Sequence, residues 1–260
     1  LGETLLLPTP LFDKIFNDQG YSLLKTPGDI SEHGPLFTIY AMLGRLLYSV
    51  GEHDNYKIAS FFLGPGPGKS TICNVIAALF RRDLVSWKLS NDMPLNLELV
   101  AKSRLFIFQE VSRHCDIPAD VWQPMIMGGE ITIHRPYRSS IQTIWRPHLL
   151  LAGQELPKFP DQFSDLCHRF FYVPMSTVPA QHDINPKLTG QIFQTELANV
   201  LMKIHTCYRA FAMRRDLDCW NLVHPIFRTA ADLTNIPVED SSEDEAAATT
   251  AAGGAASARV

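Results

Sequence analysis

The segment at residues 64–71, GPGPGKST, has the composition of a phosphate-binding loop. The general pattern is a glycine, four residues and then Gly-Lys-Ser/Thr, but Leu63 stands where the first glycine is usual, so this loop is one residue short. Consecutive amides at a helix start can still surround an anion, because their N–H groups and the helix dipole attract negative charge. A plain strand-to-helix turn is the alternative. We predict a working nucleotide site whose binding residues are Gly64, Gly66, Gly68, Lys69, Ser70 and Thr71.

Three side chains here and downstream suit phosphoryl chemistry. Lys69 would reach the β- and γ-phosphates of ATP, and the Ser70 hydroxyl would bind Mg²⁺. Glu110 lies just after the apolar run LFIF and could hold the metal or polarise the attacking water, so we predict Ser70 and Glu110 as metal ligands. The preceding residue is Gln109, where an acid is more common. A capping or ion-paired glutamate is the alternative for Glu110.

Two further polar residues adjoin strand-like segments later in the chain. Gln154 follows PHLLLAG and could orient the attacking water or sense the γ-phosphate. Arg169 precedes FFYVP and could reach the nucleotide of a neighbouring subunit as an arginine finger, with a surface ion pair as the alternative. Together with Lys69 and Glu110, these two residues form the predicted catalytic set.

Apolar runs alternate with helical patterns through the chain. The pattern predicts buried strands at 57–63, 83–90, 103–111, 147–154 and 169–175, and helical segments at 35–51, 69–80, near 118–127, and at 186–215. Such alternation predicts an α/β fold with a mostly parallel central sheet flanked by helices. Ligands bind outside the carboxyl ends of strands in such sheets, and the glycine loop, Gln109-Glu110 and Gly153-Gln154 all follow predicted strands.

Composition limits the class of protein. The 260 residues are 46% hydrophobic, enough for one core, and the net charge of −4 excludes a global basic field, so nucleic-acid binding would need a local patch. The five cysteines are far apart, which indicates a reduced compartment and no zinc site. No run is apolar for long enough to span a bilayer, so we expect an intracellular protein with no membrane partner.

The order of the motifs resembles that of the superfamily 3 helicases, ring-forming AAA+-like ATPases of viruses and mobile elements, in particular their poxvirus-type and phage primase-helicase branch. The similarity runs from Met42 to Met175, and its most specific parts are MIMGGEITIHRPY and LPKFPD followed by an arginine. The resemblance implies a homo-oligomeric ring, a hexamer, that hydrolyses ATP with Mg²⁺ between Lys69 of one subunit and Arg169 of the next. Gln154 stands where the family has Asn, and it keeps the amide.

In this family the Gly-Gly-acid segment leads to an element that lines the ring channel and grips one DNA strand. Here the corresponding residues alternate as in a β-hairpin, whose base Ile131, Ile133 and Ile141 could anchor. Basic residues beside an aromatic suit phosphate contact and base stacking. A merely solvated hairpin is the alternative. The predicted contacts to single-stranded DNA are His134, Arg135, Tyr137 and Arg138, with Arg146 nearby.

We expect four regions along the chain. They are an N-terminal helical region at 1–50, a P-loop ATPase core at 51–180, a C-terminal helical segment at 181–236 and a disordered acidic and Ala-rich tail at 237–260. Because the chain begins at Leu1 rather than Met, we expect a fragment or a processed product.

These patterns predict an ATP-dependent DNA helicase for replication of a viral or mobile-element genome, located in the host nucleus or cytoplasm if the genome is viral. Priming would need a separate primase, since no primase-type segment is recognisable. A nucleotide-binding scaffold or regulator without turnover is the alternative, because the loop is short and Gln109 replaces an acid. A small-molecule kinase would use a similar loop, but the long segment from Gln154 to Arg169 argues against it.

Overall fold

The structure is a computed structural model, and it describes residues 7–23, 34–54, 57–90, 95–115, 117–135, 137–157, 166, 168–178, 185–213, 223 and 227. All of these residues belong to one compact unit, Leu1–Thr229. The segment expected to be a disordered tail, 237–260, lies outside the described residues, and the regional boundaries stay predictions.

The described strands are β1 (Ala59–Leu63), β2 (Val85–Lys88), β3 (Leu105–Val111), β4 (Glu130–Ile133), β5 (Ile141–Ile144), β6 (His148–Gly153) and β7 (Phe170–Pro174). Five of them form a parallel sheet in the order β2-β3-β6-β1-β7, and β4 and β5 form a separate antiparallel hairpin. The predicted α/β fold with a parallel central sheet is therefore confirmed. Each strand of that sheet lies inside a segment that the apolar runs predicted.

The described α-helices are α1 (Pro10–Asn17), α2 (Pro35–Arg45), α3 (Lys69–Ala78), α4 (Leu97–Ala101), α5 (Ala119–Met127), α6 (Leu188–Thr195) and α7 (Leu197–Ala212). A short 3₁₀ helix, Arg82–Leu84, precedes β2. Among the described residues, none of the helices has both the length and the apolar character that a membrane crossing requires.

The central strands β1 and β6 are buried at every position because both of their faces are covered. The alternating side chains of β1 point to opposite faces: Phe62 packs into the main core with α1, α2, α3 and α7, whereas the Phe61 ring contacts Phe170 and Tyr172. Continuous apolar runs thus correspond to strands at the centre of a two-sided sheet.

The packing of α2 on α7 joins the two ends of the described chain. A Cβ atom at Gly44 would lie 2.0 Å from the carbonyl oxygen of Ile204, so only glycine allows the two backbones to come this close. Beside this contact, Arg45 and Tyr208 both donate to the carboxylate of Asp54, at 3.0 and 2.5 Å. The N-terminal and C-terminal helices therefore form one layer.

Two helical segments differ from their predicted extents. Helix α2 ends at Arg45 instead of near Gly51, and the chain turns so that the carbonyl of Tyr48 lies 2.9 Å from Nε2 of His148. The helical pattern from residue 186 is broken at Glu196, whose φ of −123° leaves the helical region. The spacing of apolar residues predicts neither the end of α2 at Arg45 nor the interruption at Glu196, because each is stabilised by a contact to a residue that is distant in sequence.

Candidate functional site

The glycine loop follows β1 and lies against the end of β7. The N–H of Gly64 donates to the Gly153 carbonyl at 3.0 Å, and the N–H of Gly66 donates to the Met175 carbonyl at 2.5 Å. A Cβ atom at Gly64 or at Gly66 would lie 2.6 or 2.5 Å from the Met175 oxygen, too close for any side chain. The glycines therefore let a short loop pass directly over the edge of the sheet.

The loop ends in helix α3, whose first residue is Lys69. Gly68 precedes it with a left-handed backbone (φ 101°), and the first backbone bond of the helix runs from Ile72 N–H to the Gly68 carbonyl at 2.9 Å. The amides before Ile72 have no carbonyl partner within the helix, as at any helix start. The N–H groups of Lys69, Ser70 and Thr71 therefore have no carbonyl partner within the helix, and these are the groups that the sequence predicts as anion donors.

The side chain of Lys69 lies over the loop itself. Its ammonium donates to the carbonyls of Gly64 at 2.5 Å and Gly66 at 2.6 Å. Partial burial lowers the pKa of this lysine. The loop carbonyls thus hold the ammonium of Lys69 against the glycine loop.

The carboxyl end of β3 is distorted in a way that exposes Glu110. Glu110 has a φ of 57°, which is uncommon for a residue other than glycine, and the register of β3 with β6 shifts between Phe108 and Val111. Its neighbour Gln109 forms a side-chain hydrogen bond with Cys73 of α3, and burial raises the pKa of that thiol to about 12. The strand end is therefore tied to the loop helix through Gln109, while the carboxylate of Glu110 points to solvent.

A cavity of about 420 Å³ lies between the start of α3 and the ends of β3 and β6, at this edge of the sheet. It brings together Lys69, Ser70, Glu110 and Gln154, four of the residues that the sequence singles out. It also contains Ser112 and Glu155, which the sequence analysis missed; their only signal is that each follows a predicted strand end. These four predicted residues therefore share one space, whereas Gly68 and Thr71 of the predicted phosphate loop line a different cavity.

The oxygen groups of this cavity suit magnesium better than a soft metal. Within the described residues there is no cluster of three or more His, Cys, Asp or Glu side chains that could hold a metal by itself. Mg²⁺ commonly binds through one or two carboxylates, with substrate phosphates and water completing its shell. Ser70 and Glu110 fit that requirement.

A second cavity, of about 370 Å³, adjoins the same loop at Pro67, Gly68 and Thr71. Leu11, Ile15, Pro67 and Leu188 give it apolar walls, and polar side chains of α1 stand at its edge. A Cβ atom at Gly68 would lie 2.6 Å from Cγ2 of Ile15, so helix α1 presses directly against the loop. The sequence analysis missed this cavity because α1 meets the loop only in the folded chain.

Arg169 lies at the other edge of the sheet and does not line the loop cavity. It is exposed and immediately precedes β7, which runs parallel to β1 with Ala59 opposite Phe170 and Leu63 opposite Pro174. Five residues of strand correspond to about 16 Å, so Arg169 is separated from the loop of its own chain by the height of the sheet. Arg169 therefore does not reach the loop cavity of its own chain.

The predicted hairpin is present as β4 and β5. Ile131 and Ile133 are buried and anchor its base, whereas Ile141 is half-buried. Nδ1 of His134 lies 3.1 Å from Oγ of Ser140, and the Arg135 guanidinium donates to the Ser139 carbonyl at 2.8 Å.

Tyr137 and Arg138 occupy the exposed tip of this hairpin. Tyr137 has a φ of 59° and a fully exposed ring. Arg138 is also exposed. Arg135 thus bonds to the backbone of the hairpin tip through Ser139, while the side chains of Tyr137 and Arg138 are exposed and accessible to a ligand.

No protein-family model matches this sequence, and no curated protein matches it. Among solved structures, the chain is similar to the C-terminal region of NrS-1 (residues 305–718), with a TM-score of 0.52, 15% identity, and coverage of 86% of this chain and 52% of that one. Another structure of that region gives a TM-score of 0.50 at 15% identity, covering 87% and 53%. A JCV helicase aligns with a TM-score of 0.36 at 15% identity, covering 86% and 68%, a likeness too remote to bear on this chain.

The similarity to the NrS-1 region concerns the fold, since the identity is only 15%. This chain spans about half the length of that region, 52%. With the parallel sheet and the glycine loop at its carboxyl edge, the fold is that of an α/β, AAA+-like P-loop protein.

Proposed function

We propose that this protein is an ATP-dependent DNA helicase core of the superfamily 3 type, which acts as a ring on single-stranded DNA. The observation that carries the proposal is the loop cavity, where Lys69, Ser70, Glu110 and Gln154 meet at the carboxyl edge of the sheet. A cation, a hydroxyl, a carboxylate and a carboxamide around an anion-binding helix start form the set that ATP hydrolysis requires.

In this proposal the N–H groups at the start of α3 hold the β-phosphate. The ammonium of Lys69 exchanges the carbonyls of Gly64 and Gly66 for the β- and γ-phosphate oxygens, which compensate its charge more completely. Ser70 and Glu110 would hold Mg²⁺, which neutralises charge on the phosphates. Glu110 accepts the proton of the attacking water, and the amide of Gln154 orients that water toward the γ-phosphorus.

The base of the nucleotide lies in the second cavity, between α1 and the start of α6. A flat heterocycle suits the apolar walls that Ile15, Pro67 and Leu188 provide. Gly68 lines the base cavity and the next residues, Lys69 and Ser70, line the loop cavity, so one nucleotide would span both. Helix α1 would then sense whether the site is filled, because Ile15 already touches the loop.

Arg169 completes the site of a neighbouring subunit. Because it is exposed at the opposite edge of the sheet from its own loop, a head-to-tail arrangement would bring it to the next loop. Head-to-tail contacts close into rings when the rotation permits, and six subunits is the number that the family resemblance implies. The hairpins would then line the channel, with Tyr137 stacking on bases and Arg138 contacting phosphates.

A nucleotide-binding scaffold without turnover is the second candidate. The observation that favours it is Gln109, which lines the cavity where an acid is more common and offers a neutral amide instead of a carboxylate. Tight ATP binding without hydrolysis would support this candidate.

The deciding experiment measures ATP hydrolysis by the purified chain with and without single-stranded DNA. We expect basal turnover that rises on addition of DNA. Lys69→Ala serves as the control: it should abolish turnover while the thermal unfolding temperature is retained, since this side chain contacts loop carbonyls rather than the core. Turnover by Lys69→Ala at the parent rate would show that the loop assignment is wrong.

A further inference from the structure

A second charged cavity, of about 620 Å³, lies at the amino-terminal edge of the sheet, opposite the loop cavity. The chain enters β1, β3 and β6 at this edge, because the strands are parallel. Arg104 immediately precedes β3, and Lys57 and Arg146 lie two residues before β1 and β6. All three line the cavity, together with Lys102. Since the strands are neighbours at roughly 4.8 Å spacing, the three entries lie within roughly 10 Å of one another.

The charge of this cavity is of one sign. Four cations line it, and no acidic residue among the described part of the chain does so. Lys57 and Arg146 are exposed and form no ion pair with another described residue. Arg104 donates to Oγ of Ser49 at 3.1 Å, and Lys102 pairs with Glu98 at 3.0 Å on the rim. In a chain of net charge −4, such a concentration of positive charge suits an anionic ligand.

The cavity is continuous with the hairpin. Ile144 of β5, Trp145 and Arg146 form one of its walls, so the hairpin base is also the cavity wall. On the rim, the pKa of the Glu98 carboxyl is lowered, first by its hydrogen bond to Lys102 and further by the charges of Arg135 and Arg138. Lys102 on the cavity wall and the hairpin residues Arg135 and Arg138 therefore all act on the same carboxylate, that of Glu98.

We propose that this cavity binds backbone phosphates of the same DNA single strand that the hairpin contacts, with Lys57, Arg104 and Arg146 as the phosphate-binding groups. The proposal rests on the proposed function for the identity of the strand. A row of cations spread over several strand entries matches successive phosphates, which attract point charges without base selectivity. The strand would then pass from the hairpin tip along β5 to the edge of the sheet.

The test compares two double variants of equal charge. Lys57→Ala with Arg146→Ala removes two cavity cations, and Arg81→Ala with Lys187→Ala removes two exposed cations that do not line the cavity. Binding of labelled oligothymidylate is measured across a salt series. The cavity variant should lower the slope of log affinity against log salt by roughly 0.7 per lost contact, about 1.4 for two, while the control keeps the parent slope. Equal slopes in the two variants would overturn the proposal.

Two further measurements keep this proposal separate from the proposed function. The single variant Arg138→Ala tests the hairpin in the same salt series. If Arg138→Ala lowers the slope while the cavity variant keeps the parent slope, the hairpin binds DNA and the cavity does not. Basal ATP hydrolysis is measured on each preparation and should be unchanged in the cavity variant. If the parent chain binds single strands through the cavity but hydrolyses no ATP, the helicase proposal is contradicted and the cavity proposal is not.

Discussion

The carboxylate of Glu196 accepts a hydrogen bond of 3.0 Å from the backbone N–H of Phe12, a residue 184 positions earlier in the chain. Its other oxygen accepts from the N–H of Leu11 at 2.9 Å, so Glu196 caps the first turn of α1 from the junction of α6 and α7. Lys203 of α7 forms an ion pair of 3.1 Å with Asp13 of α1, which is a second contact between these segments. Since Ile15 of α1 touches the loop at Gly68, this cap connects the C-terminal helices to the proposed nucleotide site.

Removing the cap should destabilise the fold. Glu196 is 4% exposed, and its charged hydrogen bonds satisfy two N–H groups at a helix start. We expect Glu196→Ala to lower the free energy of unfolding by about 1.5–3 kcal/mol, as for loss of hydrogen bonds to a charged group. Glu196→Gln keeps one acceptor oxygen and should lower the free energy of unfolding by a smaller amount. Denaturant unfolding measures both, and equal stability of Glu196→Ala and the parent would contradict the capping role.

Replacement of Glu110 should separate binding from hydrolysis. In Glu110→Gln the side chain keeps its size and can adopt the same left-handed backbone, but it no longer accepts a proton from water. We expect ATP to bind and remain unhydrolysed, measured as retained labelled nucleotide beside lost turnover. Glu155→Gln removes the same charge from the same cavity and controls for a simple loss of charge. Equal losses in the two variants would argue against a specific role of Glu110.

Arg169 should act across a subunit boundary. Loss of an arginine finger typically lowers turnover ~10³–10⁵-fold. Mixing inactive Lys69→Ala subunits with inactive Arg169→Ala subunits should restore part of the activity, because some interfaces in a mixed ring contain both residues. The matched control mixes Arg169→Ala subunits with subunits that carry both Lys69→Ala and Arg169→Ala. No interface in that mixture contains the arginine. If the first mixture recovers no more than the second although the subunits assemble, the shared site does not exist.

The buried His148 should make the fold sensitive to acid. Burial, together with the charge of Arg45, lowers the pKa of this histidine from 6.5 to about 3, although Asp54 lies nearby. In the unfolded chain the His148 ring takes up a proton near pH 6.5, whereas in the folded chain it stays neutral until about pH 3. The free energy of unfolding is therefore highest above pH 6.5 and falls as the pH is lowered toward 3. The loss amounts to about 1.4 kcal/mol per pH unit for one proton.

The measurement for His148 is unfolding free energy against pH, for the parent and for His148→Gln. The variant lacks the titrating ring, so its stability should fall less steeply below pH 6.5, even though it loses the contacts to Tyr48 and Arg45. Parallel curves for the two proteins would show that His148 is protonated in the folded state.

Local sequence patterns were sufficient for the strands and the loop of this protein. The apolar runs that contain β1, β3 and β6 specify strands because central strands are covered on both faces, and GPGPGKST specifies its turn because only glycines fit so close to Met175. The meeting of Glu110 and Gln154 beside Lys69 also follows from sequence, since parallel strands place their carboxyl ends at one edge. The roles of these residues remain predictions.

Contacts between distant segments decided the rest. The base cavity needs α1 to meet the loop and the start of α6, and the charged cavity needs three strand entries far apart in the chain to become neighbours. The break at Glu196 within a continuous helical pattern follows from its bond to Phe12. The position of Arg169 away from its own loop follows from the parallel direction of β7 and β1. Periodicity along a chain reports which face of an element is buried, but the partner that buries it is chosen only when the whole core packs.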